Sequence, residues 1–154
     1  MSTLVKFVKP TTDLIEFVAA NMRVADRLEV RYSHGHTPIE ALTNGISRSN
    51  LCSVALINDE PCAVFGLVVE NILTGNGVPW LLGTDLIFKH RRSFIEHTRS
   101  GVDEMLQLCP RLSNWVHCDN IKSIRWLSSM GFSFGEPLPY GVNGELFIQF
   151  SRGV

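Results

Sequence analysis

The stretch from Trp115 to Phe132 constrains the fold more than any other part of the chain. It opens with a short apolar segment over 114–117. Asp119 or Asn120 then offers a side-chain oxygen to the first turn of a helix, and Ile121, Ile124 and Leu127 recur at helical spacing. Gly131 is the stop, because glycine takes a left-handed cap without steric cost. Phe132 restarts an apolar segment. Strand, loop, short helix, glycine and strand form an α/β unit against which the other elements are read.

Upstream, Leu4, Val5, Phe7 and Val8 predict a first strand. Thr11 or Thr12 caps a helix running to about Asn21 with Leu14, Ile15 and Val18 inward. A second helix is predicted over Met22–Tyr32. Its charged set (Arg23, Asp26, Arg27, Glu29 and Arg31) reads either as a solvated face held by i,i+3 and i,i+4 pairs or as the border of a ligand cleft. Ser33 to Pro38 is a turn whose two histidines, His34 and His36, would need further ligands to hold a metal. Thr37 caps a short helix with Pro38 at its first position. The runs 51–57 and 62–69 predict a hairpin with a four-residue connection, Asn58 to Pro61. Gly66 marks a bulge or a close backbone approach. The segment 71–79 reads as a glycine-rich connection, and 80–88 as a central strand because it is apolar almost throughout. A long helix follows from Lys89 to Leu108, ended by Pro110, with Phe94, Thr98, Val102, Met105 and Leu106 inward. Two last strands are expected around 132–134 and 146–150.

The fold class expected is therefore α/β: a mixed six- or seven-stranded sheet flanked by helices, in one domain over 1–154. The chain has 154 residues, 45% of them apolar, enough for a sizeable core. With 14 basic and 15 acidic residues it lacks the surplus of Lys and Arg that an extended nucleic-acid surface needs. No apolar run is long enough for a membrane span. The four cysteines (Cys52, Cys62, Cys109 and Cys118) are scattered, and no secretory segment precedes them, so reduced thiols in a cytosolic compartment are expected.

The segment Asn120-x-x-Ser123-Ile-Arg-Trp-Leu-x-x-Met-Gly131-Phe132 resembles the asparagine-to-Gly-Phe segment of the GCN5-related N-acetyltransferase (GNAT) superfamily, and the likeness extends along nearly the whole chain. More narrowly, Met22 to Glu29, Trp80 to Asp85, Arg91 to Phe94 and Leu112 to Val116 resemble acetyltransferase-like proteins of short-tailed bacteriophages. One branch of those is known as internal virion or morphogenesis proteins. The resemblance implies acetyl-CoA or another acyl-CoA as the ligand. It implies phage structural or host proteins as partners, with a second copy of the chain among the partners left open, and a place in the host cytoplasm or the virion.

It also implies site residues. The long helix of the superfamily follows a glycine-rich loop that binds the diphosphate of the coenzyme. That loop corresponds here to 88–96, whose glycines are missing. Arg91, Arg92, Ser93 and Phe94 at the helix start and Asn120 are the cofactor-binding candidates, and Arg91 and Arg92 fit a bound anion or plain solvent equally. The superfamily commonly carries an acidic tyrosine four positions before the glycine of its Gly-Phe pair, and Leu127 stands there. Asp85 is the first candidate general base and Glu70 the second, with a structurally paired Asp85 as the competing reading. His117, Cys118 and Asp119 are consecutive, and consecutive strand residues alternate faces, so they do not assemble a triad. Two functions follow: an acetyltransferase fold degenerate in catalysis and used in virion assembly, or an active acetyl-CoA-dependent N-acetyltransferase acting on an unidentified amine.

Overall fold

A computed structural model describes residues 3–153. The elements are β1 (Val5–Val8), α1 (Thr12–Ala20), α2 (Val24–His34), α3 (Pro38–Arg48), β2 (Leu51–Ile57), β3 (Glu60–Asn71) and β4 (Asn76–Gly83). They continue with α4 (Leu86–Lys89), α5 (Arg91–Leu108), β5 (Arg111–His117), α6 (Ile121–Ser129), β6 (Ser133–Tyr140) and β7 (Glu145–Gly153). One seven-stranded sheet runs in the order β1-β2-β3-β4-β5-β7-β6, mixed as expected. Only the β4–β5 pair is parallel, and α4–α5 makes its crossover.

Strand alternation sends Val64 and Leu82 to one face, where they meet Val18, Leu42 and Val30 of α1–α3. Leu67 and Ala63 go to the other, against Met105, Val102 and Phe94 of α5 and Leu127 of α6. The helix caps follow the sequence. Thr11 Oγ1 accepts from Leu14 N–H, and Thr37 and Glu40 form a reciprocal capping box. Gly35 and Gly131 close their helices at φ +70° and +89°.

Several boundaries differ from the sequence reading. The β2–β3 hairpin turns on two residues, Asn58 and Asp59, at φ +49° and +68°. Both residue types tolerate the left-handed region, so the turn is tighter than the four-residue connection expected. The strand expected over 80–88 is instead Asn76–Gly83, and only 72–75 remains a turn. Gly77 belongs to that strand through its pairing with Val69 and Leu112, and a Cβ there would lie 2.8 Å from Cys109 Sγ. Beyond Thr84 the apolar run Leu86–Phe88 is a helical turn that buries Ile87, which an apolar run alone does not distinguish from a strand. The long helix therefore starts at Arg91, with a break at His90. Gly66 is a close approach and not a bulge: an added Cβ would lie 2.7 Å from the Leu51 carbonyl. The bulge falls at Ala55/Leu56.

Candidate functional site

β4 and β5 are neighbours for only two residue pairs, Asn76 with Arg111 and Gly77 with Leu112, and then diverge. The cause is local chemistry. Thr84 N–H donates to Cys62 O, so even-numbered β4 residues bond β3 and odd-numbered ones face β5. The next residue due to bond β5 after Gly77 is Pro79, which has no N–H to donate. Its carbonyl is taken by Asn114 Nδ2 at 2.8 Å in place of a ladder bond.

Helix α2 seals the far end of the resulting splay. Asp26 Oδ2 accepts the Gly83 N–H at 2.9 Å, and the Gly83 carbonyl accepts Arg23 N–H at 2.8 Å. On the opposite strand, Glu29 Oε1 accepts His117 N–H and Asn120 Nδ2, each at 2.9 Å. Arg23 pairs with Asp26 at 3.0 Å and donates to Ser123 Oγ and Asn120 Oδ1. Its guanidinium also lies 4.5 Å from the Phe88 ring, whose neighbour Lys122 Nζ stands 5.3 Å off. Side chains thus replace the rungs that divergence removes, as buried backbone groups require. Burial pushes Asp26 up to about 6 against the pull of Arg23 and the Gly83 N–H. Burial, then repulsion from Asp26, pushes Glu29 up to about 7. Between these polar closures stands Leu81. By alternation its N–H and C=O face across the splay, and among the described residues no hydrogen bond reaches them. A cleft of about 1010 Å³ passes through here, lined by Trp80, Leu81, Trp115 and Trp126 among others.

The sequence candidates fall in different places. Asp85 does not interrupt a strand. It is exposed in the turn after β4, and its side chain caps no helix. The reading of Asp85 as a buried, paired carboxylate is therefore corrected. Glu70 is exposed at the end of β3, on the rim of the cleft. Arg91 and Arg92 are exposed at the start of α5, Ser93 is half-buried, and the Phe94 side chain is fully buried in the core. Asn120 comes into the splay itself. Its side chain bonds Arg23 and Glu29 and makes no helix cap, which corrects the capping role expected of it. Ile121 is half exposed, whereas Leu127 is core. The solvated-face reading of α2 also gives way, because Arg23 and Asp26 are buried.

His117, Cys118 and Asp119 bring three ligand-type atoms within 4.8 Å of one another. However, His117 Nδ1 accepts Asp119 N–H and Nε2 lies 3.2 Å from Glu145 Oε1, so both ring nitrogens are engaged. Burial raises the Cys118 thiol above its usual range, away from a thiolate.

The residues missed were Pro79 and Leu81 as an edge and Glu29 as a carboxylate at the strand ends. The signal for Glu29 was present: Asp26 and Glu29 sit three apart on the stripe that carries Met22 and Val30, so polar groups occupied an inward face.

No family model matches the sequence, and no curated protein matches it. Solved structures do. The chain superposes on a GNAT-family acetyltransferase from Streptococcus pneumoniae at TM-score 0.64 and 12% identity, covering 99% of both chains. It superposes on an acetyltransferase from Bacillus subtilis in complex with CoA at TM-score 0.65 and 9% identity, again over 99% of each. The ribosomal L7/L12 alpha-N-protein acetyltransferase RimL, in complex with coenzyme A, gives TM-score 0.73 at 9% identity over 99% of this chain and 96% of that one. The protein has the fold of the GNAT acetyltransferases.

Proposed function

We propose that the protein is an acyl-CoA-dependent N-acyltransferase, with its thioester substrate laid in the β4–β5 splay. The observation that carries this reading is the unpaired Leu81 edge inside the sheet, with the Glu29 carboxylate at the end of the same splay. An open strand edge takes an extended amide-bearing chain by main-chain hydrogen bonds, and the pantetheine arm of coenzyme A is such a chain. Exposed Arg91 and Arg92, with the unbonded N–H groups of the first turn of α5, suit its phosphates. Two coenzyme A-bound neighbours of the same fold support the choice of ligand.

Glu29, raised to about 7, is matched to taking a proton near neutrality. It replaces Asp85 and Glu70 as the first candidate base, because it alone of the three is hydrogen-bonded at the splay. The amine nitrogen forms a bond to the thioester carbon, the C–S bond breaks, and Glu29, directly or through water, receives the amine proton. Leu127 carries no proton to give, so the departing thiolate takes one from water.

A second reading keeps the fold without the chemistry, as a scaffold in phage virion assembly. It is favoured by the α4 turn standing where a glycine-rich loop would lie and by Asp26 occupying the Gly83 N–H. Calorimetric titration with acetyl-CoA and coenzyme A release with a panel of amines separate the two. Micromolar to millimolar binding, with Glu29→Gln lowering kcat and leaving affinity unchanged, supports the enzyme. Absence of binding at millimolar acetyl-CoA supports the scaffold.

A further inference from the structure

The inward stripe of α5 is hollow at its middle. Offsets of seven and four residues return a helix to nearly the same face, so Gly101 lies in line with Phe94 and Met105, both buried. Yet a Cβ built on Gly101 would meet nothing within 4 Å. Elsewhere the same test finds dense packing: at Gly45 the Trp80 ring is already 3.0 Å away. Thr98, also on the stripe, is short. Across from them, Phe65 and Leu81 stand mid-strand beneath the long helix and are only half-buried, as is Trp126. The Trp126 Nε1–H is buried and finds no acceptor among the described residues. Phe7, itself 43% exposed, stands at the outer rim, edge-on to Phe65 at 5.5 Å. All of these except Phe94 line the same continuous cleft that passes through the splay. Gly101 itself is half-buried and is flanked by the exposed His97 and Glu104, so the space beneath it is a cleft open on one side.

Leu81 joins the two parts of the cleft. Its backbone is the open edge of the splay, and its side chain is on the α5 face with Phe65 and Phe94. A ligand hydrogen-bonded along that edge has an apolar chamber directly beside it.

We infer that the chamber beneath Gly101 is an acyl-chain pocket, and that the donor carries a medium-length alkyl acyl group in place of acetyl. This rests on the reading of the splay as a thioester site. The occupant is an alkyl chain because Phe7, Phe65, Leu81, Met105 and Trp126 form most of the wall, and the polar His97, Ser100 and Glu104 that also line it are exposed on the outer side of α5.

Isothermal titration with acetyl-, butyryl-, hexanoyl- and octanoyl-CoA tests the pocket, with sodium octanoate as a probe free of coenzyme. Affinity should rise about fourfold per buried methylene until the chamber is full. Gly101→Leu should abolish that gain, leave acetyl-CoA binding unchanged and raise the melting temperature. Gly101→Ala, a single added methyl on a helix, should keep the fold and shorten the preferred chain. Octanoyl-CoA binding no tighter than acetyl-CoA, or a chain-length gain intact in Gly101→Leu, overturns the inference. Octanoate binding lost in Gly101→Leu, with no thioester bound by either protein, keeps the chamber and removes the acyl-donor role. Failure of thioesters and octanoate alike removes both.

Discussion

The two faces of the sheet are covered by helices of similar total length, and they are finished differently. On the α1–α3 face the packing is close: Val18 and Leu42 are fully buried, Gly45 exists because Trp80 presses on it, and α2 sends Arg23, Asp26 and Glu29 into the splay. On the α5–α6 face the helix is anchored at Phe94 and again at Val102 and Met105, and the turn between is hollow. Glycine occurs on both faces for opposite reasons. At Gly66 a side chain would run into the Leu51 carbonyl and at Gly45 the Trp80 ring would have to give way, whereas at Gly101 the space is open. The cleft borders both faces, through Val30, Ala41 and Arg48 on one and Thr98 and Met105 on the other, so the contrast is sharpest at these glycines.

The largest test of that contrast is Arg23→Ala. It leaves Asp26 buried without its ion pair and removes donors to Ser123 and Asn120. The expected cost is about 3–5 kcal/mol in denaturant unfolding, and a loss below about 1 kcal/mol would mean that α2 does not seal the splay. The next effect is read as a slope. Burial holds Asp26 at about 6 and Glu29 at about 7, against ordinary values of 3.8 and 4.5. The native state therefore holds more protons than the unfolded chain between those limits, and stability falls with rising pH there. Their contribution is complete below about pH 4 and lost by about pH 7 to 8, and Glu29→Gln should flatten the upper half of the slope.

Gly66→Ala on the close-packed face forces a methyl to 2.7 Å from the Leu51 carbonyl, so it should destabilise by roughly 1–3 kcal/mol. Gly101→Ala on the hollow face meets nothing and gains helix propensity, so it should stabilise by about 0.5–1 kcal/mol. Equal signs for these two glycines would end the distinction between the faces.

The order of elements and the helix caps were legible because they depend on local pattern: Thr37 with Glu40, Gly131 after Leu127, and period-two runs at 51–57. The divergence of β4 and β5 was not, because the proline responsible follows two glycines, Gly75 and Gly77, and reads as loop. Pro79 declares itself only once the strand partner on each side is known. The α4 turn was hidden by the opposite ambiguity, an apolar run equally suited to strand or buried helix. At the site, Asp85 stood out in sequence for interrupting an apolar run, but that run had already ended at Gly83. Glu29 was obscured by its company, since a carboxylate among Arg27 and Arg31 looks like one more surface charge. What distinguishes it, a hydrogen bond to a backbone group 88 residues away, is a property of tertiary structure alone.

The proline in β4 also bears on how the chain assembles. With two residue pairs joining β4 to β5, the sheet is two antiparallel blocks meeting at a seam. β2 to β4 form by consecutive hairpins and β6–β7 by another, all closures of short loops, whereas the seam must wait for the α4–α5 crossover to be ordered. The blocks should therefore behave as separate cooperative units in native-state hydrogen exchange, with the Leu81 and Trp115 amides at the seam opening before the amides of either block's interior. A ligand bonded along the Leu81 edge would act as a missing rung, so its binding would be felt as merged opening of two units that otherwise breathe apart.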